Sequence, residues 1–438
     1  MNLPRYSMAA LAVAAGSAGA RRARYVLLRP LLLLLGPACL LAQQPLTWQQ
    51  VQARFEAANP VLQASALAVD ESRAQEITAY LRPNPTFNAT LDQLALFPGS
   101  SVPYRPLSNT LPVLSLSYLH ERRHKRELRR DSAIAATEIA ESLTEDQRRV
   151  LLFSLRVAFV QTLQAKAIRD LARTNLANWE NVLEISQTRL KAGDISEIDY
   201  GRLQLQRVQY QTDLQAAEVN LRTAKIQLLQ LLNDRTSVEQ FDVTGLFESG
   251  ENLIALEELH KLALEKRPDL RAALQAAGKA VTDHQLAVAN SSTDPTFSFD
   301  LGRNPPVPSY IGASVNIPLR IFDRNQGERL RTEIDIRRTA RLKEAAQAQV
   351  FADVDSSYQL LASNLKLLRD YRTNYLSAAG HVRDTVAFAF QRGGASLLDF
   401  LSAQGDYRAI QLNYLNLVGA WLTAAAQMNL AVGQEVIQ

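Results

Sequence analysis

The sequence predicts a mixed α and β fold made of two copies of one unit, each with two short amphipathic strands and two very long helices. Three observations carry this. Segments repeat at a spacing near 200 residues, long stretches lack any Pro or Gly, and four short segments alternate apolar with polar residues.

The repeat is read by direct comparison. Leu46 to Pro60 (LTWQQVQARFEAANP) aligns with Ile254 to Pro268 (IALEELHKLALEKRP). Asn84-Pro85-Thr86-Phe87 aligns with Asp294-Pro295-Thr296-Phe297, and Lys191-Ala192-Gly193 with Arg392-Gly393-Gly394. Ser196-Glu197-Ile198-Asp199-Tyr200 aligns with Ser396-Leu397-Leu398-Asp399-Phe400. The stripe Tyr210, Leu214, Ala217, Leu221, Ala224, Leu228, Leu231 recurs, shifted by 200, as Ile410, Tyr414, Leu417, Trp421, Ala424, Met428, Ala431. Its 4-3-4-3 spacing belongs to a helix packed along a long seam. The two units are expected at 43–245 and 246–438, joined near Asn233 to Asn252. Each holds a short helix, two strands around a Pro-rich loop, and two very long helices.

No Pro or Gly lies between Val113 and Ala192, or between Glu328 and Ala379. A helix of ~70 residues reaches ~100 Å at 1.5 Å per residue. In the strands, Phe87, Ala89 and Leu91 alternate with Asn88, Thr90 and Asp92, and Leu114, Leu116 and Tyr118 with Ser115 and Ser117. Phe297, Phe299 and Leu301 alternate with Ser298 and Asp300. Ile311, Ala313, Val315 and Ile317 alternate with Gly312, Ser314 and Asn316. The intervening loops hold Pro98, Gly99, Pro103 and Pro106, and Pro305, Pro306 and Pro308. An apolar face opposite small polar residues suits a barrel that is greasy outside and wet inside. The candidate lipid-facing residues are Phe87, Leu91, Leu114, Leu116, Tyr118, Phe297, Phe299, Val315 and Ile317. A half-buried sheet outside a membrane gives the same alternation.

Four strands cannot close a barrel alone, and hydrocarbon does not tolerate open edges. Two chains would give a narrow barrel filled by side chains, and three would give twelve strands with room for a lumen.

The N-terminus stands apart. Arg21, Arg22 and Arg24 precede an apolar run to Leu41 and then Gln43-Gln44, which reads as a signal peptide over 1–42 cleaved after Ala42, with Met8 an alternative start. Lipidation at Cys39 is the second reading. Residues 1–42 hold five Arg and no acid, so the remainder has 43 basic and 44 acidic residues, a net of −1. The basicity belongs to the leader and implies no nucleic-acid partner. Cys39 is the only cysteine, so no disulfide, thiol nucleophile or Cys metal site is expected. Past the leader no run of 18 apolar residues occurs, and no membrane-spanning helix is expected.

Leader, duplication, paired strands and paired long helices together resemble the TolC-type outer membrane factors over essentially the whole chain past the leader. The segments Lys191 to Tyr200 and Arg392 to Phe400 carry the resemblance most closely. It implies a homotrimer with a 12-stranded barrel in outer-membrane lipid and an α-helical tunnel in the periplasm. It implies an exit channel of tripartite efflux or type I secretion, with no catalysis and no cofactor. Its partners would be a periplasmic adaptor (membrane fusion protein) and an inner-membrane transporter of the RND type. The stretch from Asn316 to Gly327 (NIPLRIFDRNQG) is similar to the CzcC-like metal-efflux branch. The resemblance places an adaptor-docking tip at Lys191, Gly193, Arg392, Gly393 and Gly394, and constriction candidates at Asp199 and Asp399. The family's second-tip Arg and further Asp fall here on Ala395 and Ser402.

Each site has a plainer reading. Glycines that interrupt a helical pattern also serve as C-caps, and Ser-x-x-Asp fits an N-cap with an acid at N3. His120-Glu121-Arg122-Arg123-His124 matches the zinc-peptidase pattern H-E-x-x-H, which needs both imidazoles on one helix face. Its flank, Arg122 to Arg130, reads as a solvated basic face or as a contact for lipid headgroups. The competing functions are therefore a zinc peptidase through His120, Glu121 and His124, and a periplasmic coiled-coil structural or adaptor protein.

Overall fold

The computed structural model describes residues 44–94, 97, 110–250, 253–304 and 307–437. The leader with Ala42 and Cys39, and loop residues Pro98, Gly99, Pro103, Pro106, Pro305 and Pro306, lie outside the described residues.

Each half opens with two helices. In the first, α1 (Trp48–Ala58) and α2 (Pro60–Tyr80) meet at Asn59-Pro60. In the second, α5 (Leu256–Lys266) and α6 (Pro268–Asn290) meet at Arg267-Pro268. The expectation of one short helix fails here because proline does not end these segments. It starts a second helix at N1, where its missing N–H costs nothing. Both elbows are clipped to the last helix of their own half at equivalent carbonyls. Asn59 Nδ2 donates to Leu231 O at 3.1 Å, and Arg267 Nη1 donates to Ala431 O at 3.2 Å.

Next come β1 (Thr86–Asp92) and β2 (Leu111–Leu119), then in the second half β3 (Thr296–Asn304) and β4 (Val307–Asn316). They form one antiparallel sheet in the order β1-β2-β3-β4. The halves thus meet at the β2–β3 ladder, although α3 to α6 separate those strands in sequence.

From β2 the chain enters α3 (Lys125–Ala192), 68 residues without interruption, and returns through α4 (Glu197–Leu231). The second half repeats this with α7 (Gln326–Asp370), a single π turn at Tyr371–Tyr375, α8 (Leu376–Gln391) and α9 (Leu397–Val432). The returning helices have 35 and 36 residues, about half the length expected. Both outgoing helices start from a left-handed N-cap, His124 at φ 53° and Asn325 at φ 58°.

The repeated stripe faces the interior. Tyr210, Ala217, Leu221, Ala224 and Leu228 are buried, as are Trp421, Ala424, Met428 and Ala431. Leu228 packs with Val51 and Phe55 of α1, Leu155 and Phe159 of α3, and Phe241 and Val243 of the connection. Trp421 packs with Val160, Leu361 and Leu365. Met428 packs with Leu259 and Ala263 of α5 and with Val350 and Val354 of α7. The connection is pinned by a parallel bridge between Leu46 and Val243. By length and composition, windows of α3 and α9 could cross a membrane, but a third (33%) and half (50%) of them are buried inside the protein. The expectation of no such helix rested on unbroken apolar runs, which these packed helices also lack. Glu218, beside the stripe on α4, is half-buried.

Trp421→Asp should lower stability by about 3–5 kcal/mol, because it opens a cavity and buries a carboxylate. Leu221→Asp should act in the same direction, while Arg222→Gln on the exposed side of α4 should stay within about 0.5 kcal/mol. Chemical unfolding in detergent measures this, and equal tolerance at all three positions would contradict the packing.

Candidate functional site

Three regions hold the residues singled out in the sequence: the sheet, the junction beneath it, and the far ends of the long helices.

The ladder registers place the sheet's apolar residues in rows. Phe87, Leu116, Phe299 and Ala313 are aligned across the four strands, as are Ala89, Leu114, Leu301 and Ile311. Tyr118, Phe297 and Val315 form a third row. This face is open: Phe87 is 67% exposed and Phe299 62%. The opposite face carries Thr86, Ser117, Ser298 and Ser314, and beside them Asn88, Ser115, Asp300 and Gly312. Ser115 donates to Asp300. Ile317 does not share the strand, because β4 ends at Asn316 and Pro318, which has no N–H to give a ladder, follows.

At the junction the structure corrects two expectations. His120 to His124 is not a helix but the link between β2 and α3, so the two imidazoles do not share a helix face. Glu121 is held by both terminal nitrogens of Arg129, the Nη2–Oε2 contact being 2.9 Å. Among the described residues no group of three His, Cys, Asp or Glu side chains could hold a metal ion. The basic run is not simply a solvated face either. Lys125 is buried, with Nζ 2.6 Å from Asp294 Oδ2 and 2.8 Å from Ser292 O. The Arg122 N–H donates to Asp294 Oδ1 at 3.0 Å, and its guanidinium reaches Thr293. Arg126 and Arg130 lie over the Tyr80 ring, 4.2 and 5.1 Å from its centre. Burial alone would push the Asp294 carboxyl up, but Lys125 and the Arg122 N–H outweigh it and hold it below its ordinary value. This clamp ties the foot of β2 to the foot of β3. The sequence carried one signal for it, the change from Asn84 to Asp294 between the two otherwise matching N/D-P-T-F segments.

The far ends are built twice in one geometry. Gly193 (φ 83°) and Gly393 (φ 74°) close α3 and α8 in left-handed turns that side-chain-bearing residues rarely adopt. In each, the glycine N–H bonds the carbonyl three residues back and the next N–H the carbonyl five back. The contacts are Gly193 to Leu190 at 3.0 Å, Asp194 to Arg189 at 2.9 Å, Gly393 to Phe390 at 3.2 Å and Gly394 to Ala389 at 2.8 Å. Only the first glycine of the Gly393-Gly394 pair has positive φ. Lys191 and Arg392 are exposed beside these turns, Arg392 over the Phe388 ring.

Asp199 and Asp399 occupy N3 of the returning helices. The Asp199 N–H donates to Ser196 Oγ at 3.0 Å. At the second turn the box is reciprocal, Asp399 N–H to Ser396 Oγ and Ser396 N–H to Asp399 Oδ2, both at 3.1 Å. The Ser396 hydroxyl and N–H hold the Asp399 carboxyl below its ordinary value. Leu203 of α4 and Phe400 of α9 share one cluster with Trp179, so the two turns lie side by side. Behind them Trp179 stacks on Tyr210 at 5.0 Å and Phe390 on Phe400 at 4.8 Å. Arg408 of α9 bridges to Asp213 of α4 at 2.8 Å and lies over Tyr210. Sequence reasoning missed this bridge because its partners are 195 residues apart.

A family model described as "Outer membrane efflux protein" matches residues 259–434. Over 406 residues the chain is 24% identical to the cobalt-zinc-cadmium resistance protein CzcC of Cupriavidus metallidurans, covering 90% of this chain and 91% of that one. The chain is TolC-like, and its second half resembles the outer membrane efflux protein family. The chain is also similar to the pyoverdine export outer membrane protein OpmQ of Pseudomonas aeruginosa, with 27% identity over 304 residues, 65% of this chain and 61% of that one. Its fold matches the solved structure of CusC with a TM-score of 0.75 at 16% identity, covering 88% and 92% of the two chains. It matches the Campylobacter jejuni CmeC outer membrane channel with a TM-score of 0.73 at 12% identity, covering 89% and 87%. The chain thus resides in the outer membrane with a periplasmic extension, and the family it resembles is not enzymatic.

Removing the Asp294 charge should expose the worth of the junction clamp. Asp294→Asn leaves Lys125 buried without a counter-ion and should cost about 3–5 kcal/mol, whereas Asp294→Asn with Lys125→Met should recover most of that. Unfolding of the two variants decides it, and equal stabilities would mean that the pair is not a clamp.

Proposed function

We propose that three copies close a 12-stranded barrel and that the trimer is a passive exit duct, fed from the inner membrane through a periplasmic adaptor. The observation that carries this is a four-stranded sheet with a continuous apolar face and no strand beyond β1 or β4 among the described residues. Twelve strands satisfy both edges and leave a lumen. The exposed Leu67 and Ile77 on α2, and Leu330 and Ile334 on α7, supply apolar area for packing between copies. The rows led by Phe87, Leu91, Leu114, Leu116, Tyr118, Phe297, Phe299 and Val315 would face lipid. Residues 1–42 would be removed as a leader, and 43–245 and 246–438 would be the two products of a duplication.

The tips at Lys191, Gly193, Arg392, Gly393 and Gly394 would dock the adaptor, six turns to a trimer. Asp199 and Asp399 would ring the constriction. Their hydrogen bonds make them caps first, yet Asp399 stays exposed with its charge favoured, as a carboxylate ring requires. The inner-membrane partner would be an RND-type transporter. For cargo, the likeness to the cobalt-zinc-cadmium resistance protein CzcC along 90% of the chain supports metal cations of that kind, and the shorter match to OpmQ supports pyoverdine export less well. Type I secretion remains the second system that such a duct would serve.

Purified in detergent, the protein should weigh three chains, and in a planar bilayer it should carry a cation-preferring current. Asp399→Asn should weaken that preference more than Asp199→Asn. A lower melting temperature with unchanged selectivity would make the aspartates caps alone, and a monomer without current would contradict the duct.

A further inference from the structure

The midsection of the helices has one face that the function above does not yet use. Helices α1 and α5 and the connection near 233–255 all lie on one side of the long helices. On α3 that side is marked by Leu155, Phe159 and Leu163, which pack against Val51, Phe55, Phe241 and Val243. Gln164 follows Leu155 by nine residues, two and a half turns, and so sits on the opposite side. Two grooves open there, about 650 Å³ between α3, α7 and α9 and about 240 Å³ between α3 and α4. Their shared residues are Gln161 and Gln164.

The walls of both grooves are uncharged. Asn220, Thr223 and Gln227 line the smaller, and Asn416, Thr423 and Gln427 the larger, with no Asp, Glu, Lys or Arg among the described lining residues. Thr223 and Thr423, and Gln227 and Gln427, are repeat equivalents 200 residues apart. The larger groove is also shaped for an amide. Gln164 Nε2 donates to Asn416 Oδ1 at 3.0 Å, and its carboxamide fills the space where any side chain on Gly419 would stand. The charges of this stretch of α3 turn the other way, as Lys166 does toward Asp242 of the connection at 2.7 Å.

We infer that these residues form a neutral carboxamide and hydroxyl girdle lining the bore at mid-height, and that it passes hydrated solutes of either sign. This rests on the duct reading. In a duct whose wall is one helix thick, α1, α5 and the connection, packed on one side of that wall, would take its outer side, and the opposite face would line the bore. Carboxamides both donate and accept hydrogen bonds, so they replace part of a solute's hydration without a fixed charge that would select its sign. Charge selection is then left to rings elsewhere along the path.

The test uses the full-length protein in a Cys39→Ala background, with Asn220→Cys or Gln427→Cys, reconstituted in a planar bilayer. A methanethiosulfonate carrying a sulfonate should shift the reversal potential toward cations, and one carrying an ammonium should shift it toward anions by a similar amount. Arg173→Cys lies 18 residues, five full turns, from Leu155 on the covered side of α3, and is exposed. It should react and leave the current unchanged. Current that persists but ignores both reagents at Asn220→Cys and Gln427→Cys would overturn the girdle while sparing the duct. Shifts of one sign only would show a resident charge and also overturn it. No current before any reagent would remove the duct reading itself.

Discussion

A backbone N–H or C=O left unpaired in hydrocarbon costs several kcal/mol, and this cost shapes the rest of the molecule. Strands β1 to β4 pair with one another through β2 and β3, leaving the outer edges of β1 and β4 to be satisfied. Their apolar rows suit lipid on one side and their Ser, Asn and Asp rows suit water on the other. Because one chain supplies too few strands, the proposed barrel would exist only as an assembly. In that proposal the long helices would continue the assembly rather than fold into a separate globule.

A repeated order of elements places those strands. Each half contributes a hairpin, an elbow and a pair of helices, and each elbow is tied to the equivalent carbonyl of its returning helix, Leu231 or Ala431. The halves are not copies in chemistry. The first elbow uses the neutral Asn59, whereas the second uses buried Arg267 between Asp269 and Asp353, at 2.6 and 2.8 Å. Burial lowers the charge preference of that guanidinium, but its two carboxylate partners more than compensate and hold its pKa above the ordinary value. The junction shows the same divergence, with Asp294 facing Lys125 where the first half has Asn84.

Local features were legible because a single short segment encodes them. The glycine turns at Gly193 and Gly393, the Ser-x-x-Asp caps, the alternating strands and the stripe from Tyr210 to Leu231 all follow from propensity and period. Features closed over long sequence distances were not. Nothing near Lys125 announces a carboxylate 169 residues away, so its basic run read as a solvated face. The left-handed His124 broke a motif that required a helix, because a non-glycine residue at positive φ leaves no mark in sequence. Proline misled at Pro60 and Pro268, where it begins a helix instead of ending one. The carboxamide girdle was hidden for another reason: Gln and Asn on a helix look like ordinary exposed surface until the neighbouring helices show which side is enclosed.

The central claim is that the free edges of β1 and β4 pair between copies and that the ring closes at three. Paired cysteines at Ala89 on β1 and at Ala313 or Val315 on β4 test it most directly. Within one chain these strands are three spacings apart, ~14 Å, beyond the ~7 Å reach of a disulfide. Oxidation in the membrane should therefore give a ladder of linked chains that ends at three. A ladder that runs past three, or no link at any register along the two strands, would contradict the account.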